Sequence, residues 1–331
     1  SGVPTPIDAL GQCYGRQAAL VPFSGVVLAR GTAGEFVRTA GFVDTSQTTA
    51  ITQDTRFRIA SVQKVVTKTA IGLLVDQGRL KFDDPVGKYV TGLPPELASV
   101  TIEQLVDHRS GAVAFTRLTP ETETMLRGAK STSDLVALVA SQPMSFRPGE
   151  RQEYSNGGYF LLGAVIERVS GMSYGAYLKE AIFDPLGMTA TSLEADSHTA
   201  APLSKMAMEI GPVERRATSA GDGVSTAADL AKLGAALTGD TFLSKATRER
   251  LFPRRGESWR IGQGGGTMGT NTDLAAFPEN GWVVVVLSNY DPPAGTLMAE
   301  ALRGVVLGNG CKPLTETDRP SPFRMIRRPA S

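Results

Sequence analysis

The chain predicts an α/β (α+β) fold: an antiparallel sheet flanked by helices, built from both chain ends, with an all-helical domain inserted between them. Three observations predict it. Apolar runs of strand length lie near the two ends. The turns joining them are short, which suits antiparallel pairing. The middle of the chain carries helical spacing and heavy Pro/Gly punctuation. A length of 331 residues is the length of about two domains. The predicted division is residues 1–84 with 215–311 as the α/β domain, 85–214 as the helical domain, and 312–331 as a tail.

Ile7 to Leu20 reads as a helix with Pro22 beyond it. Ser24 to Arg30 and Glu35 to Val43 read as strands around the turn Gly31-Thr32-Ala33-Gly34. Ser61 to Gln77 is the clearest helix. Val62, Val65, Val66, Thr69, Ala70, Leu73 and Leu74 follow its period, and Gly78 suits its C′ position. The apolar arc is wide, so this helix is expected to be buried. In the middle, Thr101–Val106, Ser133–Ala140, Gly157–Val169 and Tyr174–Phe183 read as helices, and a further helix starts near Thr226, capped by Ser225 or Thr226. Met268 to Phe277 and Trp282 to Ser288 flank Pro278-Glu279-Asn280-Gly281, a hairpin signal, and Thr296 to Val306 closes the order as a helix. The Pro-rich tail, net +3, reads as solvated or surface-wrapped, with a basic contact site as the other reading.

Composition excludes several function classes. Lys and Arg number 34 against 33 Asp and Glu, which argues against nucleic-acid binding through bulk electrostatics. The longest apolar run in the strand-like stretches, Trp282 to Leu287, is too short to span a bilayer. His108 and His198 are the only histidines, so no His-rich metal site is available. No metal and no organic cofactor are expected. Cys13 and Cys311 are two free thiols, or one disulfide if their segments meet. Ser1-Gly2-Val3-Pro4 resembles neither a signal nor a transit peptide. Localisation stays open, with a periplasmic or secreted location favoured over the cytoplasm. Oligomeric state is unreadable.

Three segments carry chemistry. Ser61-Val62-Gln63-Lys64 is Ser-x-x-Lys at the start of the buried helix, and i, i+3 spacing places both side chains on one face. A serine hydroxyl needs a base to take its proton, and a buried lysine near a helix N-terminus can be that base. Tyr154-Ser155-Asn156 lies in a loop before a helix. A tyrosine near a lysine can move a proton, and an asparagine can donate to a substrate carbonyl and accept from the lysine. Gly262-Gln263-Gly264-Gly265-Gly266-Thr267-Met268-Gly269 precedes the C-terminal hairpin. Gly264-x-Gly266-x-x-Gly269 matches the dinucleotide fingerprint formally, but strands follow it where a helix should. A glycine-rich strand edge admitting a substrate backbone is the better reading. Read singly, each segment is a cap, a loop aromatic or a turn. His108 is expected to make structural hydrogen bonds at a helix-to-loop junction, although a Ser-His-Asp triad is conceivable, and His198 is expected in solvent. Met206 and Met208 line the cleft or fill gaps in the core.

Taken together, in this order, the segments resemble the serine β-lactamase-like superfamily: class C β-lactamases, penicillin-binding DD-peptidases, family VIII esterases and related amidases. His108-Arg109-Ser110-Gly111, Asp184-Pro185-Leu186-Gly187-Met188-Thr189 and Val224-Ser225-Thr226-Ala227-Ala228-Asp229-Leu230 also look like that group. The resemblance runs from about Ser24 to Gly308. It implies a β-lactamase/transpeptidase-like fold and an acyl-enzyme on Ser61. Lys64 would be its base and Tyr154 the proton relay, with Asn156, Gln263 and Gly265 meeting the substrate. The N–H groups of Ser61 and Gly266 would form the oxyanion hole. One departure stands out. The family's third motif begins with Lys, His or Trp, and here the residue is Gln263. A neutral amide does not attract a substrate carboxylate as a cation does. The expected activity is therefore esterase action on small or medium acyl esters. DD-peptidase, D-amino-acid amidase and weak β-lactamase activity are the alternatives. A noncatalytic protein that binds a peptide or cell-wall fragment is the alternative of another class.

Overall fold

Helix α1 (Pro6–Leu20) begins where Thr5 and Asp8 form a capping box and Pro6 takes the first helical position. The computed structural model describes residues 4–116, 119–203 and 216–312, so Met206, Met208 and residues 313–331 of the tail lie outside the described residues. Strands β1 (Gly25–Gly31) and β2 (Gly34–Ala40) pair across the predicted turn, with Gly25 opposite Ala40 and Gly31 opposite Gly34. A two-residue strand β3 (Phe57–Arg58) leads into a 3-10 turn, Ala60–Val62, and then helix α2 (Gln63–Asp76).

The middle of the chain is helical: α3 (Pro95–Ala98), α4 (Ile102–Val106), α5 (Pro120–Gly128), α6 (Thr132–Ala140), α7 (Asn156–Ser170) and α8 (Tyr174–Leu178). The last runs on through a π turn at Lys179–Phe183, which splits the single helix expected there. After β4 (Val224–Ser225), helix α9 (Ala227–Thr238) is capped by the Thr226 side chain, which accepts from Asp229 N at 3.2 Å. Helix α10 (Lys245–Leu251) follows. Strands β5 (Ile261–Thr267), β6 (Thr270–Phe277) and β7 (Trp282–Ser288) and helix α11 (Ala294–Val306) complete the order.

Five strands form one antiparallel sheet in the order β2-β1-β7-β6-β5, so both ends of the chain build it. Alternation along the strands sorts the side chains to two faces. Val26, Leu28, Leu274, Ala276, Val283, Val285 and Leu287 join the larger core, which continues through α2, α7 and α9. Val27, Ala29, Ala275, Val284 and Val286 face α1 and α11. Covering both faces explains the unbroken valine run of β7, because no position on it meets water.

The disulfide left open by the sequence is settled. Cys13 and Cys311 are bonded across 298 residues, with Cα atoms 5.5 Å apart. Helices α1 and α11 lie side by side, and Gln17 Nε2 donates to Lys312 O at 2.8 Å nearby. The free-thiol reading is overturned because these packed helices bring the two terminal segments together. No helix among the described residues is long and apolar enough to cross a membrane. No group of three His, Cys, Asp or Glu among them is placed to hold a metal ion.

Candidate active site

The turn before α2 is held from several sides. Ala60 sits at φ +45°, a left-handed conformation that alanine rarely adopts. Its carbonyl accepts from Asp222 N at 3.1 Å. The neighbouring Ile59 carbonyl accepts from Thr272 Oγ1 at 2.9 Å, and Ile59 N donates to Gly223 O at 2.8 Å. Strain of this kind persists only where surrounding bonds over-determine it. The α-helix therefore begins two residues later than expected. Ser61 lies in the 3-10 turn and Lys64 in the first α-helical turn.

Lys64 is fully buried, yet its ammonium position has three oxygen neighbours. Nζ lies 3.3 Å from Ser61 Oγ, 2.8 Å from Asn156 Oδ1 and 2.5 Å from Ala220 O. Burial lowers its pKa to about 7, against an opposing pull from the Asp222 carboxylate. A neutral amine has two N–H groups and one lone pair. The Asn156 and Ala220 oxygens can take the two hydrogens, which leaves the lone pair for the Ser61 hydroxyl.

Tyr154 OH stands 2.6 Å from Ser61 Oγ, and the ring passes 4.7 Å from Lys64 Nζ. Burial raises the Tyr154 pKa, opposed by hydrogen bonds to Ser61 and Gln263. Tyr154 is nevertheless 37% exposed, and Ser61 is partly exposed. The hydroxyl pair is thus open on one side while the amine behind it is dry.

Gln263 reaches this pair from β5, the free edge of the sheet. Gly262 to Thr267 of the third segment lie in strand β5, which corrects the expected strand start at Met268, and Met268-Gly269 is the turn into β6. Gly265 packs directly on the Ser61 turn. A Cβ at Gly265 would stand 2.7 Å from Ser61 N and 2.9 Å from Ile59 O. Gly264 and Gly266 are exposed, and a Cβ on Gly266 would point to Pro292 instead. At Gly265 the strand approaches the Ser61 turn as bare backbone, because a side chain there would collide with it.

The structure thus brings Ser61, Lys64, Tyr154, Asn156, Gln263 and Gly265 into one cluster, with Gly266 one residue further along the edge. It does not bring His108 into a triad with Ser61, since His108 Nδ1 accepts from Ser155 N at 3.1 Å. His198 projects into solvent, its side chain 86% exposed. The sequence reading that no Gly-x-Ser-x-Gly elbow occurs needs correcting as a pattern, because Gly171-Met172-Ser173-Tyr174-Gly175 matches it, but this run is not a nucleophile elbow. Ser173 caps α8 by accepting from Ala176 N, and it follows a helix where an elbow would follow a strand. The sequence reading also missed Ala220. Its contribution is a backbone carbonyl, which leaves no mark on residue type.

A family model described as Beta-lactamase matches residues 18–307. The chain belongs to the beta-lactamase family. A penicillin-binding protein of Bacillus subtilis is 30% identical over 254 residues, a match covering 70% of this chain. It spans 55% of that relative's length. Among solved structures, a penicillin-binding protein from Bacillus halodurans superposes with a TM-score of 0.74 at 25% identity, covering 90% of this chain and 98% of that one. A D-amino acid amidase from Ochrobactrum anthropi shares the fold, with a TM-score of 0.75 at 23% identity over 92% of this chain and 98% of its own. The antiparallel sheet flanked by helices is therefore the beta-lactamase-family fold that the sequence predicted.

Proposed function

We propose that the chain is a serine hydrolase that acylates Ser61 and is most active on neutral esters of small or medium acyl groups. One observation carries the proposal: a dry Lys64 amine and the Tyr154 phenol converge on the partly exposed Ser61 hydroxyl. In acylation the Ser61 Oγ–H proton passes to the Lys64 lone pair while Oγ bonds to the substrate carbonyl carbon. The resulting oxyanion is taken by the N–H groups of Ser61 and Gly266. Collapse breaks the bond to the leaving group, which receives its proton through Tyr154. Deacylation repeats the steps with water as nucleophile and returns the proton to Ser61. Asn156 holds the Lys64 amine and offers its own amide to the substrate.

The preference for neutral substrates rests on Gln263. Its neutral amide is close enough to Tyr154 to lower the phenol pKa, where a cation in related proteins would face a substrate carboxylate. A second reading keeps the chemistry and changes the bond cleaved. The shared fold with a D-amino acid amidase favours amide hydrolysis as that alternative. DD-peptidase, weak β-lactamase and noncatalytic binding roles follow behind it.

The test compares turnover of p-nitrophenyl butyrate, nitrocefin, a D-amino-acid amide and a D-Ala-D-Ala peptide. Ester hydrolysis with poor nitrocefin turnover is expected. Fluorophosphonate should add one label, lost in Ser61→Ala. Efficient nitrocefin or amide turnover with little ester hydrolysis would overturn the ester preference. An unlabelled, inert but folded protein would overturn the hydrolase reading.

A further inference from the structure

His108 is not bonded to Ser61, yet it grips the loop that carries Tyr154 on both sides of that residue. Its carbonyl accepts from Glu153 N at 2.8 Å, and its Nδ1 accepts from Ser155 N at 3.1 Å. Its ring lies 4.6 Å from the Tyr154 ring and 5.0 Å from the Tyr159 ring, tilted by 33° and 30°. Tyr159 is anchored in turn, because its hydroxyl donates to Val106 O at 3.0 Å on α4. His108 itself follows the end of α4 at φ +56°, so the backbone turn aims the ring into this stack. Resting on the hydrolase reading above, we infer that His108 is a positioning residue: its two acceptor atoms and its ring fix Tyr154 at hydrogen-bond distance from Ser61.

The arrangement requires one tautomer. An Nδ1 that accepts from Ser155 must leave the proton on Nε2. A second proton would set Nδ1–H against Ser155 N–H and open the grip. Burial, then the charges of Lys68 and Lys64, hold the imidazole neutral by lowering its pKa to about 3. The groups facing the Tyr154 phenol are Lys64 and Ser61 from the nucleophile turn and α2, His108 from the loop after α4, Tyr159 from α7 and Gln263 from β5. Of these, His108 is a neutral ring stacked on Tyr154 outside the proton path. Its removal would admit water to the phenol and lower the Tyr154 pKa.

Two variants separate the bond from the ring. His108→Phe keeps a ring and loses the Nδ1 acceptor. His108→Asn keeps a short acceptor and loses the ring. Rates on p-nitrophenyl butyrate are measured from pH 5 to 11 and normalised to the fluorophosphonate-labelled fraction. For His108→Phe, kcat is expected to fall at least about tenfold with KM within about twofold, since displacing a reacting group by about 1 Å can cost on the order of 100-fold. For His108→Asn, the alkaline limb of kcat is expected to move to lower pH. Folded variants with wild-type kcat and wild-type limbs would overturn the inference, and so would a rise in KM alone.

Nitrogen NMR of the wild-type protein tests it without a variant. With two histidines to assign, His108 should stay an Nε2–H tautomer from pH 5 to 8. A protonated or Nδ1–H His108 at pH 6 would overturn the inference. An inert, unlabelled wild type would sink the hydrolase reading, and the tautomer measurement would still decide the His108 grip.

Discussion

In the proposed acylation the Ser61 proton has a directed path. The Gln263 amide can donate to the Tyr154 oxygen, Tyr154 to Ser61 Oγ, and Ser61 to the Lys64 lone pair. The direction holds only while Lys64 is neutral, so the amine sets the pH dependence. With its pKa lowered to about 7, the active form is lost as pH falls through that value. The expected kcat/KM for an ester has an acid limb near pH 7 and falls about tenfold per pH unit below it. A flat profile between pH 6 and 8 would contradict Lys64 as the base. Lys64→Arg keeps the charge and removes the base, and should lower kcat by about 10²–10⁴-fold with Ser61 still present. Gln263→Lys tests the other end of the path. A charged donor is worth about 1.5–3 kcal/mol in a hydrogen bond, so the ratio of carboxylated to neutral substrate turnover should rise at least about tenfold. An unchanged ratio would remove Gln263 from the specificity argument.

Elements place these residues by close approach, and the glycines of β5 show it best. A methyl at Gly265 would meet Ser61 N and the Ile59 carbonyl, both backbone, and neither can move aside cheaply. A methyl at Gly264 would meet only an Asp273 carboxylate oxygen at 3.4 Å and a carbonyl at 3.8 Å. Gly265→Ala should therefore reduce kcat by on the order of 100-fold and destabilise by about 1–3 kcal/mol. Gly264→Ala should leave both near wild type. Steady-state rates and denaturant midpoints decide it, and equal effects at the two positions would refute the packing account. The same strand marks a limit of the sequence. Helix α2 and strand β7 were legible because apolar side chains recorded burial at each position. Strand β5 was legible only as a glycine-rich edge, because four of its seven residues carry no side chain from which to read a period. Helix α5 went unread because it buries no residue. The start of α2 shifted because the bonds to Ile59 and Ala60 come from β6 and from residues 222 and 223, distant in sequence. Ser61, Lys64, Tyr154, Asn156 and Gln263 were readable as residue types at spacings. The Ala220 carbonyl was not.

At the scale of the whole molecule, buried bases and a terminal clamp govern stability. Lys64, Lys68 and His108 have folded pKa values lowered to about 7, 8 and 3, chiefly by burial. In each case the unfolded chain binds a proton at a pH where the folded chain does not, so stability rises with pH through those windows. For His108 the window runs from about 3 to 6.5, and for the lysines from about 7 or 8 to 10.5. Burial raises Tyr14, Tyr154 and Tyr290 instead, so stability is lost once unfolded tyrosines ionise above 10.0. Urea midpoints should accordingly increase from pH 6 to about 9, and a maximum below pH 7 would contradict this. The Cys13–Cys311 bond acts on the unfolded chain more than on the site. It joins α1 to the segment after α11 on the outer face of the sheet, whereas Ser61 and Lys64 sit toward α2 on the other. Closing so long a loop restricts the unfolded ensemble, and such bonds contribute about 2–4 kcal/mol. The double variant Cys13→Ser, Cys311→Ser should lose about that much in denaturant unfolding. Its kcat and KM under native conditions should stay within about twofold of wild type, since no catalytic group rests on the clamp. The stabilisation is available only where the surroundings are oxidising, so wild type treated with a reductant should unfold at the variant's midpoint. If reduction instead abolished activity while the midpoint stayed fixed, the clamp would have to be coupled to the site through the sheet, and the separation of the two faces drawn above would be wrong.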